Sequence, residues 1–371
     1  MAAVAVIEFA FSPASAAGLE ALAYVGTYTS GESRGIYAFR FDDDTGRLTL
    51  LGLAASTEDP SYLAWDIAGA HLYAVNELPA TRGSDGFVSA FARTPYDYRL
   101  RLLGKASTGG MGPCHLVVTR GGKLFAANFG SGSLAGFLLR PDGMLGERSF
   151  FIQFQGSGPD PKRQEAPHAH CVVADPSGRF VLVCDLGTDR VMVYRIGDKD
   201  AFAAPADPAF FTVSGGSGPR HLAFSRDASR IYVIAELKST VSVFSWDSAA
   251  GRASLLQTVS TLPSDWVGTS TAAEVRLTPD GRFLYASNRG HDSIAMFPVL
   301  PDGRLGTVHT EPCGGRTPRF FTFDPSGQFM LCACQNSDSI RVLHRDTSTG
   351  LLAGVGEPVP IGKPVCILFA P

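Results

Sequence analysis

Seven copies of one short unit make up most of this chain of 371 residues. Each copy has an apolar strand that ends in a pattern such as Tyr73-Ala74-Val75-Asn76, then a small polar loop and a second apolar strand. In such arrays each repeat is one supersecondary unit, and the units bury a core only by packing against their neighbours. The repeat therefore constrains the fold more than length or composition does.

The residue that follows each strand end varies from copy to copy, although the strands themselves are alike. In chain order these residues are Tyr28, Glu77, Phe129, Asp185, Glu236, Arg289 and Gln335. A purely structural loop position would favour one residue type. Charged and aromatic residues at equivalent positions are instead typical of the wall of a binding site.

A second recurrent feature, usually a proline next to a polar residue, precedes each apolar strand. It recurs at positions 60, 113, 167, 219, 272, 318 and 364, at intervals of 46 to 54 residues. This period, with Pro/Gly turns such as Asp175-Pro176-Ser177-Gly178, is typical of β-propellers with one four-stranded sheet per repeat. The pattern predicts an all-β fold, a seven-bladed β-propeller of four-stranded antiparallel sheets, over residues 24–371.

The last repeat is incomplete, because only Cys366-Ile367-Leu368-Phe369 follows its proline. The first strands of the chain, around Tyr24-Val25 and residues 35–39, have no such proline before them. The simplest arrangement pairs the N- and C-terminal segments in one blade. This closes the ring and removes free sheet edges.

Residues 1–23 are expected to form an N-terminal extension. Ala14-Ser15-Ala16 resembles the small-residue cleavage site of a signal peptide. However, no Lys or Arg precedes Arg34, and Glu8 interrupts the apolar run. Two interpretations stay open: a remnant of an export signal, or a dispensable terminus of a protein that we expect in the cytoplasm.

The composition bears on several classes of partner. A formal net charge of −3 argues against a nucleic-acid binder, which would show a basic excess. No apolar run reaches the roughly 18 residues that cross a bilayer. The seven cysteines form no C-x-x-C pair and are expected to be buried thiols. We expect neither a nucleic-acid nor a membrane partner, and a monomer or weak homo-oligomer.

The first strand of a blade starts on the same face of the disc on which the antiparallel second strand ends. Both recurrent features therefore meet at one mouth of the central channel, a concave place that favours ligands. Its candidate site residues are Glu77, Arg163, His168, His170, Asp185, Arg220, His221, Glu236, Glu274, Arg289 and Arg319. Buried charges are costly unless paired, so a ring of structural salt bridges between blades is the competing explanation.

His168 and His170 alternate along one strand and could bind a metal together with Glu236. This ligand set is not compact in the sequence, so we predict no metal. The chain has no Gly-x-Ser-x-Gly elbow and no phosphate-loop or dinucleotide fingerprint, and we expect no cofactor. The expected chemistry is general acid–base catalysis, with electrostatic stabilisation by Arg and His.

Several long segments resemble the seven-bladed β-propeller lactonase family, which includes bacterial propeller-type 6-phosphogluconolactonases and a fungal carboxy-cis,cis-muconate cyclase. The resemblance runs from about Tyr24 to Phe369. The segments that carry it are Tyr24-Val25-Gly26-Thr27-Tyr28-Thr29, Pro167-His168-Ala169-His170, Gly218-Pro219-Arg220-His221, Ala235-Glu236-Leu237 and Asn288-Arg289-Gly290-His291.

The resemblance implies hydrolysis of 6-phospho-D-glucono-1,5-lactone to 6-phosphogluconate, the second step of the pentose phosphate pathway. The family's site contains a His, arginines and a Glu. On this chain the His corresponds to His168 or His170, the arginines to Arg220 and Arg289, and the Glu to Glu236.

Our hypothesis from the sequence is direct attack by water, with Glu236 as the general base. Arg220 and His170 would stabilise the oxyanion, and Arg289, with Arg163 or Lys162, would hold the phosphate. The rival functions are a cyclase or hydrolase for another anionic lactone, such as a carboxymuconate or an unphosphorylated sugar lactone, and a non-catalytic binding propeller. A non-catalytic binding propeller would favour near-identical residues at the mouth, and this chain does not have them.

Overall fold

The computed structural model describes residues 20–78, 85–94, 97–197 and 201–371. Within them the first half of the strands is β1 (Glu20–Thr27), β2 (Gly35–Asp42), β3 (Leu48–Ser56), β4 (Tyr62–Trp65), β5 (His71–Asn76), β6 (Phe87–Arg93), β7 (Leu100–Ser107), β8 (Pro113–Val118), β9 (Lys123–Asn128), β10 (Ser133–Leu139), β11 (Leu145–Gln153), β12 (Ala169–Ala174), β13 (Phe180–Asp185) and β14 (Arg190–Ile196). The second half is β15 (Ala203–Thr212), β16 (Pro219–Phe224), β17 (Arg230–Ala235), β18 (Thr240–Asp247), β19 (Arg252–Ser260), β20 (Thr271–Leu277), β21 (Phe283–Arg289), β22 (Ser293–Pro298), β23 (His309–Pro312), β24 (Pro318–Phe323), β25 (Phe329–Cys334), β26 (Ser339–Arg345), β27 (Leu352–Pro360) and β28 (Pro364–Phe369). A 3-10 turn, Gln335–Ser337, follows β25.

These strands form seven four-stranded antiparallel sheets, which we number as blades in chain order. Blade 1 is β4–β7, blade 2 is β8–β11, blade 3 is β12–β15, blade 4 is β16–β19, blade 5 is β20–β23 and blade 6 is β24–β27. Blade 7 has the order β28-β1-β2-β3, so the last strand of the chain is its innermost strand. The predicted seven-bladed propeller is confirmed.

The two ends of the chain close the ring by antiparallel pairing. Tyr24 lies opposite Leu368, and Val25 lies opposite Ile367. The predicted closure is therefore confirmed. The first strand begins at Glu20, four residues inside the segment that the sequence assigned to an extension. Residues 1–19, with the signal-like segment at 14–16, lie outside the described residues.

The second strand of a blade is buried on both faces. Every residue of β13 is buried, whereas the outermost strand β15 has exposed residues along its whole length. The reason is that a second strand packs against both neighbouring blades: Leu182 of blade 3 and Val233 of blade 4 belong to one apolar cluster with Trp246. This explains why the second strands appear in the sequence as continuous apolar runs. All seven cysteines are buried and free, as predicted.

Tight turns join the inner and second strands on the face opposite the predicted mouth. In the turn after β12, the Asp175 carboxylate accepts hydrogen bonds from the backbone N–H groups of Arg179 (2.9 Å) and Phe180 (2.8 Å). Gly178 in this turn has a φ of 72°, a left-handed conformation that glycine adopts without strain. The Asp-Pro-Ser-Gly motif therefore forms the turn that the sequence predicted.

The inner strands are irregular at one recurring level, close to their first residues. In four of them one residue has no partner in the second strand, so that the strand bulges: Cys114, His170, Arg220 and Arg319. Val365 of β28 lies at the same kind of irregularity, and β20 has a longer one across residues 273–274. Bulges redirect side chains. Four of the predicted site residues, His170, Arg220, Glu274 and Arg319, thus lie where a strand leaves regular register.

We expect Ile367→Ala to lower the free energy of unfolding by about 2–5 kcal/mol, because Ile367 is 1% exposed in the strand that closes the ring. The measurement is chemical denaturation followed by tryptophan fluorescence. The control is Ile67→Ala, at a side chain that is 68% exposed, with an expected change within about 0.5 kcal/mol. Equal effects of the two variants would contradict the closed ring.

Candidate functional site

One buried carboxylate organises the channel mouth. Glu236 follows the last residue of β17 and is 4% exposed. Its Oε2 lies 3.0 Å from Arg220 Nε and 2.8 Å from Arg289 Nη2, and its Oε1 lies 2.7 Å from Arg163 Nη2. Four of the predicted residues therefore meet at one place. Glu236 and Arg289 lie at the ends of second strands, Arg220 lies at an inner-strand bulge, and Arg163 lies in the long loop between β11 and β12.

The arginines determine the charge state of this carboxylate. Burial alone would raise the pKa of Glu236, but the positive charges of Arg289, Arg220 and Arg163 outweigh it and lower the pKa to about 2. A buried ion is tolerated only when it is paired and hydrogen-bonded in this way. Three arginines against one carboxylate leave a positive surplus at the mouth. Such a surplus attracts anions.

Arg220 is the most enclosed of the three cations, with 2% of its surface exposed. Its Nη1 donates to the Ala273 carbonyl oxygen of blade 5 at 2.7 Å, in addition to the Glu236 pair. Burial and the neighbouring charges of Arg289 and Arg319 lower its pKa to about 10. The guanidinium stays charged at neutral pH and is held rigidly between blades 4 and 5.

Arg289 ends β21 and lies on the other side of the same carboxylate oxygen. Its Nη2 also donates to the Ala272 carbonyl at 3.1 Å, and its Nε to that of Thr271 at 3.4 Å. Burial lowers the pKa of Arg289, partly against the effect of Glu236. Most of its donors are therefore occupied by the protein itself, close to Arg220.

His170 supplies a neutral imidazole beside the arginines. It is 6% exposed, and its Nδ1 has no hydrogen-bond partner within the described residues. Burial, followed by the charges of Arg220 and His221, lowers the pKa of His170 well below its usual value. At neutral pH it is therefore an uncharged base. Its ring packs edge-on against Phe129, with 5.4 Å between centroids.

His168 has a different environment, although it is two residues away. Its Nδ1 lies 3.0 Å from the Phe129 carbonyl oxygen, its ring stacks on the Phe129 ring at 4.7 Å, and its Nε2 lies 3.3 Å from Glu165 Oε1. These contacts join blades 2 and 3. The structure therefore brings His170, and not His168, next to Arg220.

Asp185 is the last residue of β13 and pairs with Arg190, just as Ala235, the residue before Glu236, pairs with Thr240. The two acids, placed at equivalent positions by the sequence, are therefore one position apart, and the Asp185 carboxylate faces its own turn. It accepts hydrogen bonds from His168 N at 2.7 Å, Gly187 N at 3.1 Å and Thr188 Oγ1 at 2.7 Å. Burial raises the pKa of Asp185, partly against these hydrogen bonds. The Asp185 carboxylate thus caps a turn and makes none of the arginine contacts that surround Glu236.

Across the channel, blades 6, 1 and 7 contribute a second polar group. Arg319 Nη2 lies 3.7 Å from Glu77 Oε2, and its guanidinium lies over the Tyr28 ring at 5.3 Å. The Tyr28 hydroxyl donates to the same Glu77 oxygen at 2.9 Å. Glu77 keeps about a fifth of its side chain exposed, so this group presents both acceptors and donors to the channel.

His221 and Glu274 lie deeper in the channel. His221 Nδ1 is 3.1 Å from Glu274 Oε2, and Arg276 Nε is 3.6 Å from Glu274 Oε1. Burial alone would raise the pKa of Glu274, but His221 and Arg276 lower it to about 2. The rings of His170 and His221 are 5.2 Å apart and connect this level to the mouth.

A cavity of about 610 Å³ adjoins this deeper level. It is lined by Tyr62, His221 and Glu274, and it extends to the turns at residues 278–279 and 324–325. Because these turns end the inner strands, the cavity opens on the face opposite the Glu236 mouth. His221 and Glu274, predicted at the mouth, therefore line a different cavity from Glu236.

Sequence reasoning missed three residues of these groups. Tyr28 was noted only as a variable residue, and its hydroxyl bond to Glu77 depends on closure of the ring. Arg276 could have been found, because Glu274 and Arg276 are two residues apart and such residues share one face of a strand. Lys238, two residues after Glu236, was also missed, and it lines a cavity at the rim of the mouth.

Within the described ranges, no group of three or more His, Cys, Asp and Glu side chains is arranged to hold a metal ion. In the same part of the chain, no helix has the length and apolar character that crossing a membrane requires.

Comparison with known proteins gives consistent matches over almost the whole chain. A family model described as lactonase, 7-bladed beta-propeller, matches residues 22–369. The 6-phosphogluconolactonase of Bacillus subtilis (strain 168) is 33% identical over 350 residues, which are 94% of this chain and 98% of that protein.

Two solved structures have the same architecture and related names. The periplasmic gluconolactonase of Pseudomonas aeruginosa is 36% identical with a TM-score of 0.90, covering 95% of this chain and 99% of its own. A Bacteroides fragilis protein provisionally named 6-phosphogluconolactonase is 38% identical with a TM-score of 0.89, covering 96% of this chain and all of its own.

The arginine-bound carboxylate should make the protein acid-sensitive. Because the pKa of Glu236 is lower in the folded protein than in the unfolded chain, its contribution to stability is complete above about pH 5 and is lost as the pH falls towards 2. We expect Glu236→Gln to destabilise the protein by about 3 kcal/mol at pH 7 and much less near pH 3. Urea unfolding at several pH values measures this.

The control is Glu147→Gln, the same chemical change at an exposed position, with no expected effect on stability at either pH. A parallel loss of stability on acidification in Glu236→Gln and wild type would show that the arginines do not depend on this carboxylate.

Proposed function

The chain belongs to the lactonase family of seven-bladed β-propellers, and we propose that it hydrolyses 6-phospho-D-glucono-1,5-lactone to 6-phosphogluconate. The observation that carries the proposal is the arginine surplus around Glu236, with a neutral His170 beside it. This combination suits an anionic substrate whose carbonyl group is attacked by water. The name of the Bacillus relative supports the choice of substrate.

The reaction adds one water across the ester bond of the lactone ring. A base takes a proton from the water as its oxygen bonds to the carbonyl carbon, and negative charge develops on the carbonyl oxygen. The bond to the ring oxygen then breaks, and that oxygen receives a proton and becomes a hydroxyl group. The product acid ionises at neutral pH and releases one proton.

We assign the base to His170 and no longer to Glu236. A carboxylate with a pKa of about 2, whose two oxygens both face arginines, has little affinity for a proton. A general base also needs a free lone pair within hydrogen-bond reach of the attacking water. His170 is uncharged at neutral pH, and its buried Nδ1 has no partner among the described residues. Glu236 then acts as a positioning residue that holds Arg220 and Arg289.

Arg220 and Arg289 are the groups that we assign to the developing oxyanion. Both are fixed by Glu236 and by backbone carbonyls of blade 5, so little reorganisation is needed when charge appears. Preorganised donors of this kind are usually the largest electrostatic contribution to acyl transfer. Their proximity to His170 suits attack and charge stabilisation on the same carbonyl group.

The group formed by Glu77, Arg319 and Tyr28 is suited to the hydroxyl groups of a sugar ring. Glu77 accepts and Arg319 donates, and both retain part of their surface towards the channel. Carboxylate acceptors beside fixed donors give orientation and specificity without taking part in the chemistry. We therefore assign these three residues to substrate binding on the wall opposite Glu236.

A second candidate function is hydrolysis of an unphosphorylated sugar lactone. The observation that favours it is the similarity to the periplasmic gluconolactonase of Pseudomonas aeruginosa. The two candidates differ in location as well, because the phosphorylated lactone is a cytoplasmic metabolite. We favour the phosphorylated substrate and the cytoplasm, given the arginine surplus at the mouth.

We expect kcat/KM to be at least about tenfold higher for 6-phospho-D-glucono-1,5-lactone than for D-glucono-1,5-lactone, because the mouth carries excess positive charge. The measurement is a pH-controlled lactonase assay corrected for spontaneous hydrolysis of both lactones. Equal values would favour the unphosphorylated substrate class.

We expect His170→Gln to lower kcat by about 10²–10⁴-fold with little change in KM, because it removes the base and leaves the arginines in place. In the wild type, kcat/KM should stay constant from pH 7 to below 6.5, since the pKa of His170 is lowered and the imidazole remains neutral there. His309→Gln, on the exposed outer strand β23, is the control and should keep full activity. If His170→Gln retains wild-type kcat, the base is another group.

A further inference from the structure

We propose that Lys162 and Lys238 form a separate phosphate-binding subsite at the rim of the mouth, which takes the phosphomonoester of the substrate. This inference rests on the proposed function and adds to it the residues that would distinguish a phosphorylated from an unphosphorylated lactone. It replaces the expectation from the sequence that Arg289 holds the phosphate.

The two lysines line one cavity of about 560 Å³. One wall is the loop at residues 159–162, and the other is the Gly215-Gly216 segment that precedes the inner strand of blade 4. Both walls belong to the face of the disc on which Glu236 lies. The cavity is therefore on the substrate side of the propeller.

Each lysine is close in the chain to a residue of the Glu236 cluster. Lys162 directly precedes Arg163, whose guanidinium contacts Glu236. Lys238 follows Glu236 by two residues, so their Cα atoms are at most about 7 Å apart. The phosphate of the lactone is separated from its carbonyl group by the sugar ring. A subsite one ring away from the reacting group is thus expected close to, but distinct from, the arginine cluster.

The loop wall of the cavity is rigid, which a binding site requires. Gln164 is fully buried, its Oε1 accepts from Asp160 N at 3.1 Å, and its Nε2 donates to the Leu186 carbonyl at 2.8 Å. Its backbone carbonyl accepts from Gly158 N at 2.9 Å. This long loop is therefore held against blade 3 by one side chain, and Lys162 starts from a fixed backbone.

The opposite wall is fixed by Asp189. Its carboxylate accepts from Gly216 N at 2.7 Å and from Gly218 N at 2.8 Å. Lys238 Nζ donates to the Gly215 carbonyl at 2.6 Å, which points the ammonium group along this wall. An ammonium group has three donors, so two remain for a ligand.

The charge of the cavity favours an anion. The ammonium group of Lys162 makes no hydrogen bond or ion pair within the described residues. The lining also contains one carboxylate, Asp160, whose Oδ1 accepts from the backbone N–H groups of Lys162 at 2.9 Å and Arg163 at 3.2 Å. Two ammonium groups against this one carboxylate leave a net positive charge. A phosphomonoester carries close to two negative charges at pH 7, and lysine binds phosphate well as a point charge.

The other cations of the mouth are less suited to this role. Arg220 and Arg289 share one oxygen of Glu236 and donate to backbone carbonyls as well. Arg319 is paired with Glu77, whose carboxylate would repel a phosphate. Among the cations of the mouth described above, Lys162 and Lys238 are the ones without a carboxylate partner.

The test compares the double variant Lys162→Ala/Lys238→Ala with wild type on both lactones. We expect KM for 6-phospho-D-glucono-1,5-lactone to rise about 10- to 100-fold, with kcat within about twofold, and KM for D-glucono-1,5-lactone to stay unchanged. The control is Lys105→Ala, an exposed lysine on strand β7 of blade 1, which should leave all constants unchanged.

Calorimetric binding of the products 6-phosphogluconate and gluconate gives a readout that does not depend on turnover. We expect the double variant to lose the preference for 6-phosphogluconate that the wild type has. If the wild type prefers 6-phosphogluconate and the double variant keeps that preference, the subsite is overturned and the proposed function is not. A wild type that binds and hydrolyses both compounds equally would overturn the phosphate preference in the proposed function, and the subsite with it.

Discussion

The antiparallel pairing of β1 with β28 is the contact on which the rest of the molecule depends. Each second strand is apolar on both faces, so it is stable only with a blade on either side, and a ring supplies that to every blade without a free edge. The polar residues around the channel come from all seven blades, with His115 from blade 2, and from one loop. The mouth therefore exists as a single site only because the two ends of the chain, Val25 and Ile367 among them, meet in one sheet.

Within that ring, one short polar network lies at the mouth of the channel. Glu236 costs free energy to bury, and Arg163, Arg220 and Arg289 offset this cost by pairing with it. The network keeps two guanidinium groups in place beside a neutral imidazole. The same arrangement lowers the pKa of Glu236, and for this reason we propose His170 rather than Glu236 as the base. Structural and catalytic explanations of these charges are thus compatible, because the pairing itself preorganises the site.

The sequence predicted the propeller, the closure and most of the mouth, since the repeat determines which segments become equivalent. It placed Asp185 and Glu236 at equivalent positions, which is wrong by one residue, because the strand of Asp185 ends at that residue whereas the strand before Glu236 ends at Ala235. The Asp185 carboxylate binds its own turn instead. The sequence could not choose between His168 and His170 either, because a bulge adds one residue and breaks the alternation on which such a choice rests. The sequence of a long loop also does not show which residues the loop contacts, so the contact of Arg163 with Glu236 was found only in the structure.

The recurring bulge also has a consequence for how such a protein can change. At this one level the extra residue of an inner strand lies outside the hydrogen-bonded ladder, and the blades carry a thiol at Cys114, an imidazole at His170, guanidinium groups at Arg220 and Arg319, and an isopropyl group at Val365. A substitution there alters the lining of the pore while the pairing of the sheet is preserved. New substrate ranges could thus evolve by single replacements at this level, with the architecture inherited intact.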